Sequence, residues 1–61
     1  MKIYEIHVSA SYITDGADHK AWNSFKEYVK AGNAEDAQRI LESSLYEEGY
    51  IDIEMDEPIE A

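Results

Sequence analysis

The sequence predicts a small α+β fold: a β-β-α-β chain forming a three-stranded antiparallel sheet, order 2-1-3, with one helix packed on one face. Three observations predict it. Apolar and polar residues alternate through the first dozen positions and again near the C-terminus, the period-2 pattern of half-buried strands. Between them, apolar residues recur at helical spacing, bounded by a capping Asn and a terminating Gly. The chain has 61 residues and no Cys, so it forms at most one domain, held by packing or a partner and not by disulfides.

Residues 1–12 read as the first strand. Tyr4, Ile6, Val8 and Ala10 fall on one side and Glu5, His7, Ser9 and Ser11 on the other, so the even positions are the expected core. Residues 13–23 are expected to form a long hairpin loop around Asp15-Gly16, a turn dipeptide in which Asp bonds its own backbone and Gly accepts positive φ. Residues 24–31 read as a second strand, antiparallel to the first, with Phe25, Val29 and Ala31 alternating against Lys26, Tyr28 and Lys30. Trp22, Phe25 and Val29 also fit helical spacing, so an amphipathic helix over 21–29 is the rival reading.

Asn33 is a good N-cap, and Glu35 and Asp36 sit in the first turn, where the helix dipole favours acids. Ala34, Ala37, Ile40, Leu41, Ser44 and Leu45 continue the helical stripe, and Gly49 stands where a C′ glycine ends a helix, giving a helix over 34–48. Residues 50–56 read as the third strand, with Ile51, Ile53 and Met55 on one side and Tyr50, Asp52, Glu54 and Asp56 on the other, stopped by Pro58. Residues 57–61 are expected to fray. A hairpin followed by a right-handed crossover places the third strand beside the first, which gives the order 2-1-3.

The formal charge is −9. Residues 1–32 are balanced, four acids against four bases, whereas residues 33–61 carry ten acids against Arg39 alone. A pI near 4.3 argues against direct nucleic-acid binding, which needs Lys and Arg for phosphate, and against anionic membrane surfaces. No apolar run approaches the roughly 18 residues of a membrane span, and the N-terminus lacks the apolar core of a signal peptide. The expected location is therefore cytoplasmic.

No catalytic or metal constellation emerges. His19 with Asp15 and Asp18 has neither the oxygen count of a calcium loop nor the nitrogen and sulfur of a zinc site. No serine lies in a nucleophile motif, and a chain this small does not enclose a substrate pocket on its own. The expectation is a binding protein, not an enzyme, with no cofactor and no metal.

The acidic series carries the specific functional expectation. Asp52, Glu54 and Asp56 alternate on one strand and so share a face at about 6.6–6.8 Å spacing, a distance of the same order as that between phosphates along a DNA strand. Glu47, Glu48 and Glu57 extend this field, and Tyr50, Tyr28 and Trp22 are the candidate apolar anchors. Such carboxylates can stand in for phosphates on a basic surface built for nucleic acid. Two alternatives stand beside it: a structural module or homodimer whose acids only solubilise, and a sponge for a nucleotide signal.

Ser24-Phe25, Val29 with Ala31, Glu35-Asp36-Ala37, Leu41-Glu42 and Gly49-Tyr50-Ile51 before Pro58 together resemble small bacteriophage host-takeover proteins, in particular the short T7-type phage inhibitors of bacterial RNA polymerase. The resemblance covers a little over half the chain. It implies a hairpin, one helix and a three-stranded antiparallel sheet, and action by docking on a host nucleic-acid machine in the host cytoplasm. In those inhibitors the last strand binds through basic residues, and the matching positions here are Glu54 and Asp56, so the same docking site does not carry over. The resemblance then implies a tiny inhibitor of a bacterial protein with a basic surface. Anti-CRISPR and other anti-defence roles fit, since defence nucleases read DNA through basic channels.

Overall fold

The computed structural model describes residues 1–14 and 19–61, so the Asp15-Gly16 turn and the Asp15 and Asp18 carboxylates lie outside the described residues. Within them the chain runs β1 (Lys2–Ile13), β2 (Lys20–Ala31), α1 (Ala34–Glu48), β3 (Asp52–Met55) and β4 (Ile59–Glu60). All pairings are antiparallel, and the sheet order is β2-β1-β3, with β4 pairing β1 further along. The α+β class, the order and the single helix are those the periodicity predicts. Residues 21–29 are strand, not helix.

β1 is central because its even positions are apolar without interruption. Tyr4, Ile6, Val8 and Ala10 are buried, and α1 lays Ala37, Leu41 and Leu45 against them. Phe25, Val29, Ile53 and Met55 close the sides of this core. Asn33 caps α1 by accepting the Asp36 amide on its Oδ1 at 2.8 Å. Gly49 ends it at φ 106°, the left-handed region in which a Cβ is strained.

Three boundaries differ from expectation. β2 begins at Lys20, four residues before the expected start at Ser24, because β1 extends to Ile13 and every residue of it finds a partner from Lys20 onward. The Thr14 amide then bonds the His19 carbonyl at 3.0 Å and closes the hairpin. Residues 57–61 do not fray: Ile59 and Glu60 pair with Glu5 and Tyr4, and the Ala61 amide donates to the Ile3 carbonyl at 2.8 Å. Pro58, which lacks a donor, falls in the gap between β3 and β4, where no ladder bond is needed.

β3 is also shorter than 50–56. The Tyr50 amide bonds the Leu45 carbonyl, so Tyr50 still belongs to the helix exit. Its ring meets Tyr12 edge-on and Phe25 at a tilt, both at 5.9 Å between centroids, and so lies on the helix side of the sheet. Tyr50 therefore does not share a face with Asp52, Glu54 and Asp56. Ile51, expected on the side of Ile53 and Met55, which are half-buried, is 42% exposed.

Candidate functional site

The register defines two sheet faces. The helix covers one. The other carries the odd positions of β1 (Ile3, Glu5, His7, Ser9, Ser11, Ile13) and their partners on β2 (Lys30, Tyr28, Lys26, Ser24, Trp22, Lys20). Asp52 and Glu54 join this face opposite Ser11 and Ser9, and Ile59 joins it opposite Glu5. The Asp56 amide donates to the His7 carbonyl at 3.0 Å, which continues the row one step further.

The open face is divided by charge. Lys20, Lys26 and Lys30 line β2, whereas Asp52, Glu54 and Asp56 line the opposite edge. Between them, Glu5 takes the His7 Nε2 at 3.1 Å and the Lys26 Nζ at 3.5 Å. Serines form a low centre, with Ser9 and Ser24 hydroxyls 3.0 Å apart. His7, Ser9, Ser24, Lys26, Glu54 and Asp56 ring a shallow depression of about 460 Å³ there. Ile3, Ile13, Trp22, Tyr28 and Ile59 stand around it, each 44–57% exposed.

The three candidate carboxylates of the last strand are not equivalent. Asp52 is engaged: Lys20 Nζ donates to its Oδ2 at 2.7 Å, and the buried Ser11 hydroxyl donates to the same atom at 3.0 Å. Those two contacts, the Lys20 ammonium first, hold the Asp52 carboxyl below its ordinary value. Glu54 and Asp56 have no ion-pair partner among the described residues.

The open face carries little of the net charge. Three lysines there meet four carboxylates (Glu5, Asp52, Glu54, Asp56), a balance of −1, while the other described residues carry eight acids against Lys2 and Arg39, a balance of −6. Glu47 and Glu48 are exposed at the end of α1, in the layer behind the sheet, and Glu57 is exposed between β3 and β4. The nine candidate residues therefore do not form one surface. Trp22, Tyr28, Asp52, Glu54 and Asp56 share the open face; Tyr50, Glu47 and Glu48 do not, and Glu57 lies on the connection between β3 and β4.

A second surface lies where the outer face of α1, legible in the sequence as Glu35, Gln38, Arg39 and Glu42, meets β3. Glu35, Gln38, Arg39 and Glu42 of α1 and Ile53 and Met55 of β3 line a groove of about 380 Å³. Arg39 Nη2 is taken up by Asp36 at 2.6 Å, while Glu35 and Glu42 lack an ion-pair partner among the described residues. The signal was present as the i, i+3, i+4, i+7 spacing of Glu35, Gln38, Arg39 and Glu42. What spacing does not show is that Ile53 and Met55, both half-buried, reach that face and close it into a groove.

Among the described residues, no three His, Cys, Asp or Glu side chains gather as a metal site, and no helix is long and apolar enough to cross a membrane. No family model, no curated protein and no solved structure matches this chain.

Proposed function

We propose that this chain is a small binding protein, not an enzyme, which inhibits a bacterial nucleic-acid-handling or defence protein by occupying its basic nucleic-acid-binding surface. The observation that carries the proposal is the groove between α1 and β3. Its walls offer the Glu35 and Glu42 carboxylates, which have no ion-pair partner among the described residues because Asp36 engages the Arg39 beside them, and its floor offers Ile53 and Met55. A Lys or Arg side chain fits that chemistry, its stem on the apolar floor and its charged head at the carboxylates. The net charge of −9 supplies long-range attraction to a basic partner and repels nucleic acid itself. The action would be cytoplasmic and of the class that the resemblance to phage inhibitors implies.

The test immobilises the folded protein, elutes captured bacterial proteins with a salt gradient, and then challenges the purified partner complex with duplex DNA. Duplex DNA should compete, and affinity should fall steeply between about 0.05 and 0.5 M salt. Glu35→Lys with Glu42→Lys should abolish capture; capture that survives this pair but not Glu54→Lys with Asp56→Lys would move the docking surface to the sheet. Affinity indifferent to both salt and DNA removes the proposal.

A further inference from the structure

We propose that the open sheet face is the interface of a symmetric homodimer, with two copies packed sheet to sheet about a two-fold axis parallel to β1. The proposal does not depend on what the acidic exterior binds.

A two-fold that stacks two identical sheets face to face must lie in the plane between them. If it runs across the strands, β2 of one copy lies over β2 of the other, and lysines face lysines. If it runs along β1, the rotation exchanges the two edges, and β2 of one copy lies over the β3 side of the other. One charged pair then matches, and Glu5, which faces its own copy across the axis, is balanced by Lys26 of its own chain. Lys26 lies level with His7 on one side of β1, and Asp56 lies level with His7 on the other. The axis along β1 therefore sets Lys26 of each copy over Asp56 of its mate, twice per dimer. The same rotation sets Tyr28, level with Glu5, over Ile59, also level with Glu5.

Shape and area agree with charge. The serine floor at Ser9, Ser11 and Ser24 lies along the middle, while Trp22, Tyr28, Ile3, Ile13 and Ile59 rise around it as half-exposed apolar groups. The molecule measures 42 × 17 × 12 Å, and the open face spans the two longer dimensions. A face of that size gives a footprint of roughly 700 Å² per copy, near the 800 Å² per partner of a standard stable interface. Sheets packed this way sit about 10 Å apart at a modest angle set by their twist, and the inner faces interdigitate.

Sedimentation equilibrium over a concentration series decides it. The wild-type chain should reach about twice its 7.0 kDa mass. Lys26→Glu alone and Asp56→Lys alone should each weaken association at least about tenfold, since each puts like charges over one another at two places. Mixing the two variants should restore it, because in the mixed dimer opposite charges again face one another at both places. Circular dichroism confirms that each variant is folded. Lys26 also neutralises Glu5. If Lys26→Glu does not fold, Asp56→Ala and Asp56→Lys, which leave the Lys26–Glu5 pair intact, replace the mixing arm, and the lysine should weaken association more than the alanine. A wild-type chain that stays monomeric at millimolar concentration overturns the proposal, as does a dimer unaffected by either single reversal.

Discussion

Replacing Gly49 by Ala should destabilise the protein by about 0.5–1 kcal/mol. The left-handed conformation at φ 106° costs a residue with a Cβ roughly 1–2 kcal/mol. Ala also restricts the unfolded chain, which returns about 0.4–1 kcal/mol. No steric clash is added, since a Cβ built at Gly49 meets nothing within 4 Å. A domain of this length has a total stability of about 3–9 kcal/mol, so the loss is measurable, and it should lower Tm by roughly 2–8 °C. Gly32 is the internal control. A Cβ there is equally free of contacts, and its backbone is not left-handed, so Gly32→Ala should be neutral or stabilising by up to about 1 kcal/mol. Urea unfolding at constant slope measures both. The Gly49 bend also delivers Tyr50 to Tyr12 and Phe25 and launches β3, so Gly49→Ala should loosen the Tyr50 ring as well. A Gly49→Ala protein at least as stable as wild type, or a Gly32→Ala protein that loses as much, would refute the conformational account.

Three further outcomes are expected. The Asp52 carboxyl lies below its ordinary value, so its contribution is fully present above pH ~4 and is lost as pH falls through the depressed folded value; carboxyl NMR titration should show this depression shrinking in Lys20→Met. Deleting Pro58–Ala61 should cost roughly 1–3 kcal/mol by urea unfolding, since it removes the β4 ladder along Tyr4 and Glu5 and the bond from the Ala61 amide; a tail that merely frayed would cost nothing. Ile6→Ala should cost roughly 2–5 kcal/mol in the same assay, because Ile6 is fully buried beneath α1.

Much of the fold is legible in the sequence because β1 and α1 each state their period without ambiguity. The even positions of β1 leave one register, and one register fixes which face meets the helix. What is not legible has local causes. On the helix side the start of β2 offers only Ala21 and the exposed Asn23, which lies beside Glu48 and Gly49 at the very end of α1. Without a core to face, the start of β2 carries no apolar alternation and resembles loop. Period 2 puts Tyr50 on the wrong face because it runs on through residues that Gly49 turns by its positive φ. The candidate acids are legible as residues but not as surfaces. Sequence spacing groups Asp52, Glu54 and Asp56, yet it does not show that Lys20, 32 positions earlier, neutralises the first of them.

The two surfaces make opposite demands on salt, and their separation determines how the proposed dimer should respond. Its interface draws on the two Lys26–Asp56 pairs, which screening weakens. The described residues of its exterior carry −6 on each copy, which repels until it is screened. Each chain is 12 Å thick, and sheets pack about 10 Å apart, so the two helix layers would sit roughly 30 Å from one another. The Debye length is about 30 Å at 0.01 M, about 8 Å at 0.15 M and about 3 Å at 1 M. At the lowest salt the exteriors therefore feel one another, and at the middle value they do not, while the pairs at contact distance still attract. Association should consequently be tightest near 0.15 M and weaker on both sides, a maximum that sedimentation at the three concentrations would reveal. Association that strengthens steadily as salt is removed would mean that the acidic layers are not set apart on the outside of the pair, and would exclude the sheet-to-sheet arrangement.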